Sequence, residues 1–276
     1  MTGKKAPIGI FDSGYGGLTI FGEIRSLLPQ YDYVYLGDNA RTPYGSRSFE
    51  VVYQFTRQAV LHLLAEGCPL IILACNTASA KALRTIQQCD LPQIDVTKRV
   101  LGVIRPTVEV VDQVSCTKHI GVLGTSGTIY SRSYELEIAK LYPDVHVVSE
   151  ACPMWVPLVE NREYDSPGAD YFIQKHLNAL LMQDSRIDTI LLACTHYPLL
   201  MNKIKQYLPA GITVFPQGKQ VADSLKDYLF RHPEMEMRLT QHATCRFQTT
   251  ESAAKFSESA SVFLKHPVEV EQIVIA

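Results

Sequence analysis

A chain of 276 residues with 46% apolar and 20% charged side chains is composed like an ordinary globular protein and is long for one hydrophobic core. Two domains of moderate size are expected, and disorder is not. The net charge of -2, with Lys and Arg scattered along the chain, leaves no basic surplus to neutralise a phosphate backbone, so no nucleic-acid partner is expected. No apolar run approaches the roughly 20 residues that span a bilayer. The start, MTGKKAPIGIF, lacks the apolar core and cleavage site of a secretory leader. The expected location is the cytoplasm, without membrane contact.

Strand-like runs at 8–14 (IGIFDSG), 33–38 (YVYLGD) and 69–75 (PLIILAC) alternate with stretches at 18–28, 48–66 and 78–88 whose apolar residues recur at helical spacing. This βαβα alternation predicts a parallel sheet. The polar, Pro-containing stretch 89–99 reads as a boundary. After it VLGVI, HIGVLGT, VHVVSE and DTILLAC read as strands, with helices near 106–114, 131–141, 168–183 and 198–207. From about 213 a tail follows: ITVFP, a helix near 219–230, ATCRFQTT and VEVEQIVIA. So short a set of strands makes a poor domain alone, so the tail is expected to dock back onto the first half.

An internal repeat organises these elements. IGIFDSGYGGLT at 8–19 resembles IGVLGTSGTIYS at 120–131, and each is followed about 65 to 75 residues later by an apolar strand ending in cysteine, ILAC at 72–75 and LLAC at 191–194. The fold expected is therefore α/β: two similar parallel-sheet domains related by a pseudo-two-fold axis, with the active site in the cleft between them. The first would hold residues 1–99 with 213–276 and the second 100–212. Ligands of open α/β sheets bind at the carboxyl ends of strands, where both cysteines and both glycine-rich turns fall.

The seven cysteines, at 68, 75, 89, 116, 152, 194 and 245, form no CxxC pair and no zinc-like Cys/His spacing, so reduced thiols and no metal centre are expected. Most should be inert core residues. Cys75 and Cys194 differ because the repeat places them opposite one another, each where a strand hands over to a helix. A helix N-terminus would favour thiolate and would also attract an anionic ligand. Taken singly, each is more simply a buried cysteine beside a helix cap. The duplication reverses that balance. Inverting a stereocentre with an unactivated C–H needs a base on one face and an acid on the other, and two thiols of similar acidity serve in both directions. There is no clear lysine-centred Schiff-base motif and no GxxxxGK[ST] loop, and no cofactor is demanded.

FDSGYGGLT, YLGDNARTPYG, ILACNTASA, GVLGTSGT, CPMWVPLVE and LLACTHYPLL, in that order, resemble the successive motifs of the glutamate racemase family. The resemblance implies a cofactor-independent, two-thiol racemase that supplies D-glutamate for peptidoglycan. Cys75 would act on D-glutamate and Cys194 on L-glutamate. It implies that Asp12 assists the first thiol, that His196 partners the second, and that Glu160 lies near the second. It further implies that Asp12, Ser13, Pro43, Tyr44, Gly45, Asn76, Thr77, Thr125, Thr128, Thr195 and His196 hold the substrate, and that the chain forms a homodimer. Three departures stand out: the stretch 89–99 is longer than usual, Trp155 replaces a more common Phe, and FPQGKQVA replaces a commoner acidic segment. Rival readings are an aspartate racemase, a thiol hydrolase using Cys194 with His196, which leaves Cys75 unexplained, and a ligand-binding module without catalysis.

Overall fold

The computed structural model describes residues 5–275; residues 1–4 and 276, assigned above to the first domain, lie outside the described residues. In chain order the strands are β1 (Ile8–Asp12), β2 (Tyr33–Gly37), β3 (Leu70–Leu73), β4 (Arg99–Gly102), β5 (His119–Gly124), β6 (His146–Ala151), β7 (Thr189–Ala193), β8 (Thr213–Phe215), β9 (Cys245–Thr249) and β10 (Val270–Gln272). They form two sheets, β10-β9-β2-β1-β3-β4 and β6-β5-β7-β8. Every strand pair is parallel.

Parallel sheets must be covered on both faces, so their central strands are largely apolar and alternate residues feed different cores. In the first sheet Ile8, Ile10, Tyr33, Tyr35, Leu70 and Ile72 point to one face. Phe11, Val34, Leu36, Ile71 and Leu73 point to the other. The helices Leu18–Leu27, Gly218–Arg231 and Ala253–Leu264 pack on the first face and Phe49–Ala65 on the second. Phe21, wholly buried among Tyr33, Tyr35 and Phe247, contributes roughly 2–3 kcal/mol by burial and fixes the helix that follows the DSGYGG turn. The second sheet alternates in the same way, with Leu123, Ile190 and Leu192 on one side and Ile120, Val122, Leu191 and Ala193 on the other.

The repeat extends to topology. Four strands of the first sheet wind β2-β1-β3-β4 and the second winds β6-β5-β7-β8. The register agrees too, since Gly9 pairs with Ile71 as Gly121 pairs with Ile190.

Two strands belong elsewhere than the sequence reading placed them. VLGVI does not open the second half: β4 pairs with β3 from Leu70↔Arg99 to Leu73↔Gly102. The polar stretch before it is helical as far as Ile94, and Asp90 is tied to Arg57 at 2.7 Å and Tyr53 at 2.9 Å. The chain is thus held against the first sheet and returns to it. ITVFP is likewise not part of the returning tail, because β8 pairs with β7 and buries Phe215 in the second core. Each repeat therefore ends one strand later than its hydrophobic pattern indicates. The tail then reaches the first sheet, where β9 pairs with β2. The helix Ala253–Leu264 had no counterpart in the sequence reading. Among the described residues no helix is long and apolar enough to cross a membrane.

Candidate active site

β3 ends at Leu73, and Cys75 caps the helix Asn76–Lys81. Cys75 Sγ accepts from the Ala78 N–H at 3.4 Å, and Ser13 Oγ lies 3.3 Å away. Ser13 comes from the turn after β1. The Asp12 carboxylate just before it is buried, with Oδ2 accepting from the Gly14 N–H at 2.8 Å and Oδ1 lacking a hydrogen-bond partner. Burial pushes the Cys75 thiol up to about 12; Asp12 adds to the rise, while the Ser13 and Ala78 hydrogen bonds offset part of it. The sequence reading expected the helix terminus to lower this thiol towards neutrality. In the free cavity, desolvation of the thiolate outweighs so short a helix. Burial also raises the Asp12 carboxyl above its ordinary range, against the opposing charge of His196.

Cys194 follows β7, but no α-helix starts there. The chain turns through a 3₁₀ segment, Tyr197–Leu200, before the helix Met201–Tyr207. In place of a helix terminus this thiol has an imidazole: His196 Nδ1 lies 3.9 Å from Cys194 Sγ, and Nε2 lies 3.0 Å from Glu160 Oε1. Burial works against a charged His196. Its hydrogen bonds to Cys194 and Glu160, and the charges of both, outweigh burial and raise it to about 10. In its protonated form it donates from both nitrogens.

The positioning of that imidazole is readable in its neighbours. Glu160 ends the helix Trp155–Glu160, which is anchored by the wholly buried Trp155 stacked edge-on against Tyr197 at 4.8 Å. Phe263, from the tail helix, meets the His196 ring edge-on at 6.1 Å. Gly16, from the turn after β1, packs so closely that a Cβ there would lie 2.3 Å from His196 Nδ1 and from Thr195 Oγ1. Thr19 Oγ1 donates to the Thr195 carbonyl at 2.9 Å. The first glycine-rich turn therefore lies directly on the second thiol's partner.

Between the two cysteine-bearing strand ends is a cavity of about 90 Å³ whose wall includes both Cys75 and Cys194. Ser13, Pro43, Tyr44, Gly45, Asn76, Thr77, Thr125, Thr195 and His196 share that wall. Among the described residues the wall holds no Lys, Arg, Asp or Glu. Its polar groups include hydroxyls drawn from both halves: Thr77 Oγ1 lies 3.0 Å from Thr125 Oγ1 and 3.4 Å from Thr128 Oγ1, and Thr125 lies 3.1 Å from Thr128. Each hydroxyl can turn its hydrogen towards an anion. The halves also meet where the Gly127 N–H donates to the Gly45 carbonyl at 2.7 Å.

A family model described as Asp/Glu/Hydantoin racemase matches residues 19–225. The chain belongs to the Asp/Glu/hydantoin racemase family. Curated relatives that align over nearly its whole length include glutamate racemases. One from Paracoccus denitrificans is 39% identical over 274 residues, covering 96% of this chain and 98% of its own. Among solved structures, a glutamate racemase isoform from Bacillus anthracis superposes with a TM-score of 0.89 at 35% identity over 99% of each chain. A glutamate racemase from Francisella tularensis in complex with D-glutamate gives 0.87 at 31% over 98% of each. The protein is accordingly a racemase, an isomerase, and its two-sheet fold is that of the family.

Some of the residues to which the family resemblance pointed stand behind the cavity wall. Asp12 precedes the wall residue Ser13, Glu160 supports His196, and Thr128 backs Thr77 and Thr125. The Asn76 amide is engaged at both ends: Nδ2 donates to Gln217 Oε1 at 2.8 Å and Oδ1 accepts from the Tyr134 hydroxyl at 2.6 Å. The contact between Gln217 and Tyr134 closes the ring. FPQGKQVA thus supplies, through Gln217, a partner that occupies the Asn76 side chain. The Tyr44 hydroxyl is similarly committed to Asp38. Thr42, Ser46, Ser126, Pro153, Val156 and Pro157 also line the wall and were not singled out from sequence. They flank the PYG, GTSGT and CPMWVP motifs, which is the signal that could have found them.

Proposed function

We propose that this racemase interconverts L-glutamate and D-glutamate without a cofactor, by passing the α-proton between Cys75 and Cys194 on opposite faces of the substrate. The observation that carries this reading is that two cysteines, at equivalent strand ends of two identically wound sheets, share the wall of one cavity. One sulfur, as thiolate, takes the proton from Cα, breaking C–H and forming S–H. The resulting planar carbanion then receives a proton from the other thiol, so that S–H breaks and C–H forms on the opposite face. The reverse reaction exchanges the roles, with Cys75 acting on D-glutamate and Cys194 on L-glutamate.

The surroundings of each sulfur support different tasks. At Cys75 the raised pKa keeps a proton on sulfur in the resting site, ready for delivery. Asp12 Oδ1, buried without a partner, is an acceptor for the substrate ammonium or for the thiol proton. At Cys194, His196, braced by Glu160, gives a proton to the sulfur as the cation and takes it back as the neutral imidazole. Thr77 and Thr125 bind carboxylate by hydroxyl donation, with Thr128 orienting both from behind. The N–H groups around Ser13, Asn76 and Thr195 add to this, and Pro43, Tyr44 and Gly45 shape the wall. Full-length similarity to glutamate racemases favours glutamate over aspartate. Supply of D-glutamate to peptidoglycan, in the cytoplasm and as a homodimer, belongs to the same proposal.

The test is incubation of the reduced, metal-free protein with each glutamate enantiomer in D₂O, following optical rotation and deuterium at Cα. Decay of both enantiomers to the racemate with deuterium incorporated, aspartate being inert, is the expected result. Binding without exchange would reduce the cavity to a ligand-binding site, and exchange with aspartate alone would move the substrate to its shorter homologue.

A further inference from the structure

At the strand ends remote from the cavity, the second sheet carries a cluster that racemisation does not use. β5 and β6 begin with His119 and His146, directly opposed in register. Their rings lie 5.3 Å apart. Asp184, at the end of the helix Pro167–Gln183, reaches between them: Oδ2 is 2.7 Å from His119 Nδ1 and 3.6 Å from His146 Nε2. One donor atom from each of the three lies within 4.8 Å of the others.

We propose that His119, His146 and Asp184 form a binding site for a divalent transition-metal ion of the zinc class. Two imidazoles and one carboxylate are a nitrogen and oxygen donor set suited to zinc, nickel or cobalt rather than magnesium or calcium. A tetrahedral ion with bonds of about 2.1 Å separates its ligands by about 3.4 Å. The Asp184 to His146 separation of 3.6 Å is already close to this. The His119 to Asp184 hydrogen bond of 2.7 Å must open by roughly 0.7 Å to admit an ion of that size. His146 is exposed, which leaves the remaining coordination position open to water.

Arg186 sets the strength of the site. Its Nε donates to Asp184 Oδ1 at 3.0 Å and its Nη2 to Oδ2 at 3.2 Å. The guanidinium holds the Asp184 carboxyl below the ordinary carboxylate range, so the ligand is already anionic. It also opposes a cation and occupies Oδ2. An entering ion takes Oδ2 from Nη2, and the Nε bond to Oδ1 stays to orient the carboxylate, as outer partners of metal ligands do. Such a clip would join the starts of β5 and β6 to the segment entering β7.

The experiment is titration of the reduced full-length chain with Co²⁺ and with Zn²⁺, by calorimetry and by absorption. The expected result is one ion bound, with a cobalt spectrum of nitrogen and oxygen ligation and no thiolate-to-cobalt charge transfer. Affinity should fall at least roughly tenfold in H146A and in H119A and rise in R186Q, while glutamate turnover of metal-free H146A stays at the wild-type level. Because His146 is exposed, H146A keeps the fold, and its melting temperature checks that. No binding, unchanged affinity in H146A, or a thiolate charge-transfer band would each overturn the proposal, the last because it would place the ion on cysteines.

Discussion

Replacing Gly16 with alanine adds one methyl group at the point where the first glycine-rich turn lies on His196. The new Cβ would sit 2.3 Å from His196 Nδ1 and from Thr195 Oγ1, and 2.6 Å from His196 Cε1. Ordinary contact lies near 3.5 Å, so these atoms must retreat by roughly 1 Å. His196 has little freedom to do so, being buried, bonded to Glu160 and packed against Phe263. Either the imidazole leaves Cys194 and Glu160, or the two halves part. The overpacking should cost about 1–3 kcal/mol of stability, and a shift of about 1 Å among the reacting groups should lower turnover about 100-fold. Polarimetry of glutamate racemisation with parallel thermal melts measures both. Gly22 is the control: it lies inside the helix Leu18–Leu27, and a Cβ there meets nothing within 4 Å. G22A should gain about 0.5–1 kcal/mol with turnover unchanged. Wild-type turnover and an unshifted melt in G16A would refute the reasoning.

Three further outcomes are expected. Cys75→Ser keeps a side chain able to cap the helix Asn76–Lys81, so its denaturation midpoint should stay near wild type, whereas racemisation followed by polarimetry should fall by about 10²–10⁴-fold or more. Glu160→Gln removes a charge that helps raise His196 to about 10 and leaves only a neutral amide oxygen as acceptor. The His196 pKa should then move down towards its ordinary value of 6.5, and the alkaline limb of the pH–rate profile should shift to lower pH; an unmoved limb would argue that His196 does not govern it. Asp32 accepts from the His242 N–H, the Thr244 N–H and the Thr244 hydroxyl. Burial would raise its carboxyl, but hydrogen bonds from Thr240, Thr244 and His242 hold it far below the ordinary range. Its stabilisation is therefore present above that range and lost as the pH falls through and below it. Asp32→Asn should lose about 1–3 kcal/mol at neutral pH, and the deficit in urea melts should shrink on acidification.

Much of this was legible because parallel strands and a repeat leave strong marks. β1, β2, β3, β5 and β7 are largely apolar, and ILAC and LLAC announced two equivalent thiols. β4 and β8 are short and partly exposed, and nothing in so brief a run tells which neighbour supplies its ladder. That is why each was assigned across the boundary. The helix Ala253–Leu264 was missed although Phe256 and Ala260 bury a face, since Ser and Lys interrupt its pattern. The protonation of Cys75 was misread for a different reason: a helix cap is visible in sequence, whereas the dehydration that outweighs it depends on what covers the site. The occupied Asn76 amide depends in the same way on Tyr134 and Gln217, far from it in the chain.

Neither cysteine-bearing strand is at a sheet edge: β3 runs between β1 and β4, and β7 between β5 and β8. Interior strands open only when most of their sheet does, so their amide protons should exchange with solvent at the slowest, near-global limit. Each sulfur is in effect bolted to its own half of the molecule. The gap between the sulfurs is then a coordinate of the two halves as bodies, adjusted at seams such as those where Gly16 meets His196 and Gly127 meets Gly45, and a substitution that tunes the reach across the substrate carbon belongs at such seams rather than on the strands.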